Sequence, residues 1–219
     1  FDLLDFITSH FAVLETTIRS SGDNVLPNVY TGILTLVLLP LFLVNDKIRI
    51  KDKVIYVLLL VFFVFCFNNN CANYIWHAFH FPNDLPYRFS YMYSFLIATM
   101  GYRTITNLKG IKAKDITYVG LALIAVVVIC QKFLTNKMTN VTIYATIILI
   151  ALWCGYLLLS KNKSAPKKLL SATLVIFLIC ETVISSITGI QISQTNGAYK
   201  ENYDTYTDSI NYIKSNDDG

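Results

Sequence analysis

The sequence predicts an all-α polytopic membrane protein of about six transmembrane helices with outward-facing polar loops, and three observations carry that prediction. Hydrophobic residues make up 54% of the 219 positions against 15% charged, with a mean hydropathy of +0.51. That balance belongs to integral membrane proteins rather than to soluble domains. The apolar residues gather into six runs, and most of the basic residues lie in the loops between alternate runs. This placement also argues against a nucleic-acid surface as the reason for the net charge of +4, since the bases are dispersed in short clusters between apolar runs.

The chain opens on Phe1 with no basic, apolar and small-residue succession of a signal peptide, so it is expected to be an internal piece of a longer protein. Residues 1–28 form an external segment. The apolar runs are 29–44, 54–67, 89–102, 116–134, 141–159 and 169–190. Crossing a bilayer takes about 20 helical residues, so the last three qualify directly and the first three draw on their polar flanks. None sets an apolar stripe against a charged face, which predicts burial all round, in lipid or as a buried helical core.

The loops orient the spans. Lys47, Arg49, Lys51 and Lys53 follow the first run, Arg103, Lys109, Lys112 and Lys114 the third, and Lys161, Lys163, Lys167 and Lys168 the fifth. These loops hold twelve of the eighteen basic residues, which assigns them to the cytoplasm. Residues 1–28, 68–88 and 191–219 then lie outside the plasma membrane. Residues 191–219 are polar, and Tyr199, Tyr203, Tyr206, Ile210 and Ile213 recur there at helical spacing. That stripe fits a helix packing on its neighbours or resting at the interface, and a soluble domain is expected beyond it. Five cysteines, an odd number, form neither a disulfide framework nor a zinc motif.

Polar chemistry concentrates in 73–95, NYIWHAFHFPNDLPYRFSYMYSF. His77 and His80 would share a face on a helix, and Asp84 or Cys71 would complete a metal shell; the other reading is interfacial hydrogen bonding. Pro82 and Pro86 bracket Asn83 and Asp84 in a bend before a helix that starts near Pro86 or Tyr87. Arg88 then falls in its first turn, either holding a phosphate bidentately or snorkelling to headgroups. LPNVY, with Asn28 and Tyr30, repeats the Pro-Asn step ahead of the first run, as a second wall of one cavity or as an independent turn. Glu181 is the only acid inside an apolar run, so it faces the bundle interior or a water-filled cavity, with a structural or a functional role.

LPNVYTGILTL, IWHAFHFPNDLPYRFSYMYSF and the intramembrane ICETVIS together resemble the YfhO family of bacterial membrane proteins, over nearly the whole chain. Members of that family are longer and similar to GT-C glycosyltransferases, and the source implied is a low-GC Gram-positive bacterium. The resemblance implies a GT-C-like bundle that takes a sugar from a polyprenyl-phosphate donor and places it on an extracytoplasmic cell-envelope polymer such as lipoteichoic acid. In GT-C enzymes the catalytic carboxylate usually sits in the first external loop, which this chain is expected to lack, so the catalytic residue is left unassigned. Substrate-binding residues expected on this reading are Arg88, His77, His80, Asn83, Asp84, Tyr87, Asn28 and Glu181. No cofactor is implied, and a divalent cation is left open. The alternatives are a scaffold and a transporter or lipid-linked sugar flippase, but a transporter should show broken helices at mid-membrane, whereas polar residues here collect at one surface.

Overall fold

The computed structural model describes residues 3–14, 25–80, 87–134, 138–162, 164–189 and 203–216. The described residues form helices joined by loops, in two units, Phe1–Gly189 and Ile190–Gly219. The first holds α1 (Leu3–Thr8), α2 (Ile33–Val44), α3 (Ile50–Asn68), α4 (Asn70–Trp76), α5 (Ser90–Thr106), a 3-10 turn (Leu108–Gly110), α6 (Ala113–Phe133), α7 (Asn140–Lys161) and α8 (Lys167–Gly189). The second holds α9 (Tyr203–Asn216), which covers Tyr206, Ile210 and Ile213 of the expected stripe.

Among the described residues three helices are long and apolar enough to cross a membrane, Ala113–Phe133, Asn140–Lys161 and Lys167–Ile187, with Ile33–Val44 as a shorter apolar helix. Six spans are therefore not all met at full length. At 1.5 Å per residue the 12 residues of α2 reach about 18 Å, short of a hydrocarbon core of about 30 Å. The cause is local: the run expected from residue 29 becomes helical only at Ile33, because Gly32 stands at φ 90°, a conformation that side chains other than glycine rarely adopt. α3 is 19 residues long but carries Lys51, Asp52 and Lys53 in its first turns.

α2 is the hub, packing against α5, α6 and α7. Ile33, Val37 and Leu41 follow one another at i, i+4 spacing, with Leu34, Leu38 and Phe42 beside them, and all six are buried. All but Phe42, which packs with Ile48 and Met100, share a core with Ile116 and Val127 of α6 and Ile150, Trp153 and Leu157 of α7. A second, aromatic cluster joins Phe6 of α1, Phe63 and Phe67 of α3, and Phe89, Tyr93 and Ile97 at α5. The Asn68–Asn70 run divides two helices. Asn69 ends α3, and its Oδ1 accepts from Ala72 N at 3.0 Å to open α4.

Polar ties secure the end that carries the basic loops. Asn45, fully buried, donates from Nδ2 to Asn107 O at 3.0 Å and accepts from Lys47 N at 2.9 Å. Arg103 donates to Asp52 Oδ2 at 2.6 Å and lies over the Tyr56 ring, joining α5 to α3.

α6 and α7 approach closely at Gly120, where an added Cβ would lie 2.8 Å from Cys154 Sγ. Gly120→Leu is therefore expected to cost about 2 kcal/mol of stability through overpacking. Part of that loss should return when Cys154→Ala is added, and thermal unfolding of the single and double variants in detergent checks it.

Candidate functional site

Three polar groupings lie away from the basic loops. The first is centred on Glu181, which is 5% exposed and is the one buried residue among the described residues of α8. Its Oε1 accepts from the Tyr30 hydroxyl at 2.7 Å and from the backbone N–H of Ile33, while Oε2 accepts from Trp153 Nε1 at 2.8 Å. The first turn of a helix has N–H groups with no intrahelical acceptor, and α2 has no side-chain cap of its own. Glu181 caps it from another helix, its Oε1 accepting the N–H of Ile33.

The second grouping lies where α1 meets α5. His10 Nδ1–H donates to Phe6 O at 3.0 Å, and this tautomer lets Nε2 accept from the Tyr93 hydroxyl at 3.1 Å. Burial pushes the imidazole down to about 4, only partly offset by the Phe6 carbonyl. His10 carries no signal in the sequence, because its partner is 83 positions away and no local spacing marks the pair.

The third grouping is the window itself. His77 closes α4, and its Nδ1–H donates to Asn73 O at 2.8 Å. Its Nε2 and the Oδ1 of the buried Asn73 are enclosed with no hydrogen-bond partner among the described residues. Such groups cost stability, and the His77 nitrogen can accept a hydrogen bond or take a proton. Ala78 and Phe79 follow with φ of 54° and 62°, turning the chain so that His77 and the exposed His80 do not share a helical face. Among the described residues no set of three His, Cys, Asp or Glu side chains gathers as a metal site.

Trp76 stacks on Phe89 with centroids 5.0 Å apart, and Phe89 on Phe67 at 5.0 Å. Tyr87 packs edge-on against Phe67, and burial raises its phenol above the usual range. Arg88 is exposed, one position before the Phe89 cap of α5. It therefore precedes the first helical turn instead of falling in it, because α5 begins at Ser90 rather than near Pro86 or Tyr87. Asn83 and Asp84, with their bracketing prolines, lie outside the described residues. Asn28 is exposed, and its neighbour Val29 joins the same apolar cluster as Phe67 and Phe89. LPNVY thus packs through Val29 in the cluster that holds Phe89 and receives Tyr87, and it is further tied to α8 through Tyr30.

Beside this window, Tyr91, Met92, Phe95, Leu96 and Thr99 of α5 face Ile55, Tyr56, Leu59 and Phe63 of α3 across an apolar groove of 620 Å³. Its α5 wall begins three residues after Arg88.

The family model for the bacterial membrane protein YfhO matches residues 2–219. The chain belongs to the YfhO family. Comparison with curated proteins and with solved structures returned no match. As a YfhO family chain it is a bacterial membrane protein, and the bilayer is the environment that its exposed apolar helices meet.

Two outcomes test these groupings. Glu181→Ala leaves three donors without their acceptor and is expected to cost about 3 kcal/mol or more; Glu181→Gln keeps one acceptor oxygen and should cost less, both read by thermal unfolding and Trp153 fluorescence. The His10 ring is neutral in folded and unfolded chains above about pH 6.5, so its contribution is complete there; as pH falls from 6.5 toward 4 the unfolded chain gains a proton that the folded one refuses, and stability drops by up to about 3 kcal/mol. His10→Gln should flatten that part of the stability profile.

Proposed function

We propose that this chain is the membrane part of a glycosyltransferase that takes a sugar from a polyprenyl-phosphate donor and transfers it to an extracytoplasmic cell-envelope polymer such as lipoteichoic acid. On this reading the basic loops are cytoplasmic, the first three helices of the expected six cross with their polar flanks, and the window at residues 73–95 faces outward. The observation that carries it is the pairing of Arg88 with the apolar groove that starts three residues further along α5. A lipid phosphate at Arg88 would have its isoprenoid tail alongside Tyr91, Met92 and Phe95 in the groove. Stabilising the leaving phosphate as charge develops is what such a reaction requires of a cation there.

His77 adds to the support, since its buried Nε2 is an acceptor for a sugar hydroxyl or an acceptor for a proton. Tyr87, His80, Asn83, Asp84 and Asn28 are proposed as further contacts around the donor. Glu181 acts on this reading as a positioning residue, because its two oxygens already serve three donors inside the bundle. Arg88→Ala in the protein is expected to lower glycosylation of the envelope polymer by about 100-fold, the loss typical of removing one group that stabilises developing charge. Unchanged glycosylation at normal expression would sink the proposal.

A further inference from the structure

The three basic loops converge on one amphipathic cleft. Its volume is 730 Å³, and Lys47, Lys109, Lys161 and Lys167 line it together with Asn107 and Asn162. None of its lining residues is acidic. Ile105, Leu108 and Leu170 supply an apolar floor to the same cleft.

The walls are built by hydrogen bonds. Asp46 N donates to Gly110 O at 3.0 Å, Asn45 Nδ2 to Asn107 O at 3.0 Å, and Lys161 Nζ to Leu108 O at 3.0 Å. A Cβ on Gly110 would come within 2.8 Å of the Lys47 backbone nitrogen, so the first loop is seated directly on the second. On the far wall Ser164 N donates to Asn162 Oδ1 at 3.0 Å. Four cations are thereby held around one space whose charge is balanced by no lining carboxylate.

We propose that this cleft binds the phosphate-bearing headgroup of an anionic membrane lipid, with the lysines on the phosphate and the apolar floor beneath the first acyl carbons. Lysine serves phosphate as a point charge, and each basic group near a membrane surface favours anionic lipid. Ile105, Leu108 and Leu170 line the cleft as well as packing on the core, so the first acyl carbons of a lipid would meet apolar surface there that a soluble phosphate would not use. Placing the lipid in the cytoplasmic leaflet rests on the orientation proposed above; the binding itself does not.

The test titrates the purified protein in neutral detergent with phosphatidylglycerol, with phosphatidylcholine of the same chains, and with glycerol 3-phosphate, counting bound molecules by native mass spectrometry. Phosphatidylglycerol should bind more tightly than either of the others by about tenfold or more. Lys47→Gln, Lys109→Gln and Lys167→Gln together should weaken it by about 100-fold, at about fivefold per lysine. Lys51→Gln, Lys53→Gln and Lys114→Gln remove equal charge from the same end outside the cleft and should change it by less than about threefold. Ala165→Trp, which fills the cleft and keeps every lysine, should also abolish binding. Equal losses in the two triple variants would reduce the effect to general surface charge, and equal binding of glycerol 3-phosphate would make the site one for soluble phosphate. Either result overturns the proposal, as does binding that survives Ala165→Trp.

Discussion

The bundle depends on one carboxylate being satisfied. A charged or polar group carried into an apolar interior is costly unless its hydrogen bonds are made there, and Glu181 collects three from three different parts of the chain. Tyr30 comes from the stretch ahead of α2, Ile33 from the first turn of α2, and Trp153 from the middle of α7. Leu170, Leu174 and Phe177 of α8 are half-buried against the core, most of its other described apolar residues are exposed, and lipid gives little hydrophobic drive toward the neighbouring helices. Specific polar contact therefore adds to packing in setting where α8 sits. The same contact fixes where α2 begins, since Gly32 supplies no side-chain cap and Glu181 does so in its place.

The first unit treats its polar groups in two ways. At the basic end, Asn45, Asp52, Arg103 and Lys161 are all committed to internal bonds that stitch α2, α3, α5 and α7 together. Elsewhere, Glu181 and His10 are similarly committed, but Asn73 Oδ1 and His77 Nε2 are enclosed without a partner among the described residues. Native proteins leave few such atoms, and each calls for an explanation. Both atoms are acceptors in this arrangement, so the missing contacts are ones that a donor such as a hydroxyl could supply and a phosphate oxygen could not.

The helices most legible in the sequence are those whose signal is local. α6, α7 and α8 follow from long apolar runs, and their ends fall within three residues of the expected ones. α4 is hidden in a polar loop, because an Asn-rich heptamer has no apolar periodicity to read and its start depends on the Asn69 cap. Glu181 stands out as a lone acid in a greasy segment, yet its partners are illegible. Tyr30 is 151 positions away and Ile33 148, and nothing short of the fold brings them together. The same holds for His10 and Tyr93. Arg88 sits outside the turn expected to hold it, because Pro86 signals a helix start that the backbone delays until Ser90.

The aromatic layer bears on what kind of work the window does. Trp76, Phe89 and Phe67 stack in succession, and Phe6 and Tyr93 pack edge-on or tilted against Phe67. This layer lies between His77 on one side and His10 on the other, for His77 meets Phe89 and His10 meets Phe6. The cavity bounded by His10, Gly32, Thr35 and Ile97 has a volume of 10 Å³, space for about one water molecule. A solute moving through the bundle along this line would have to part a close-packed aromatic stack, whereas a lipid entering the α3–α5 groove from the side displaces nothing. Lateral entry of a lipid into the α3–α5 groove is therefore a lower-cost route than passage of a solute along this line through the interior.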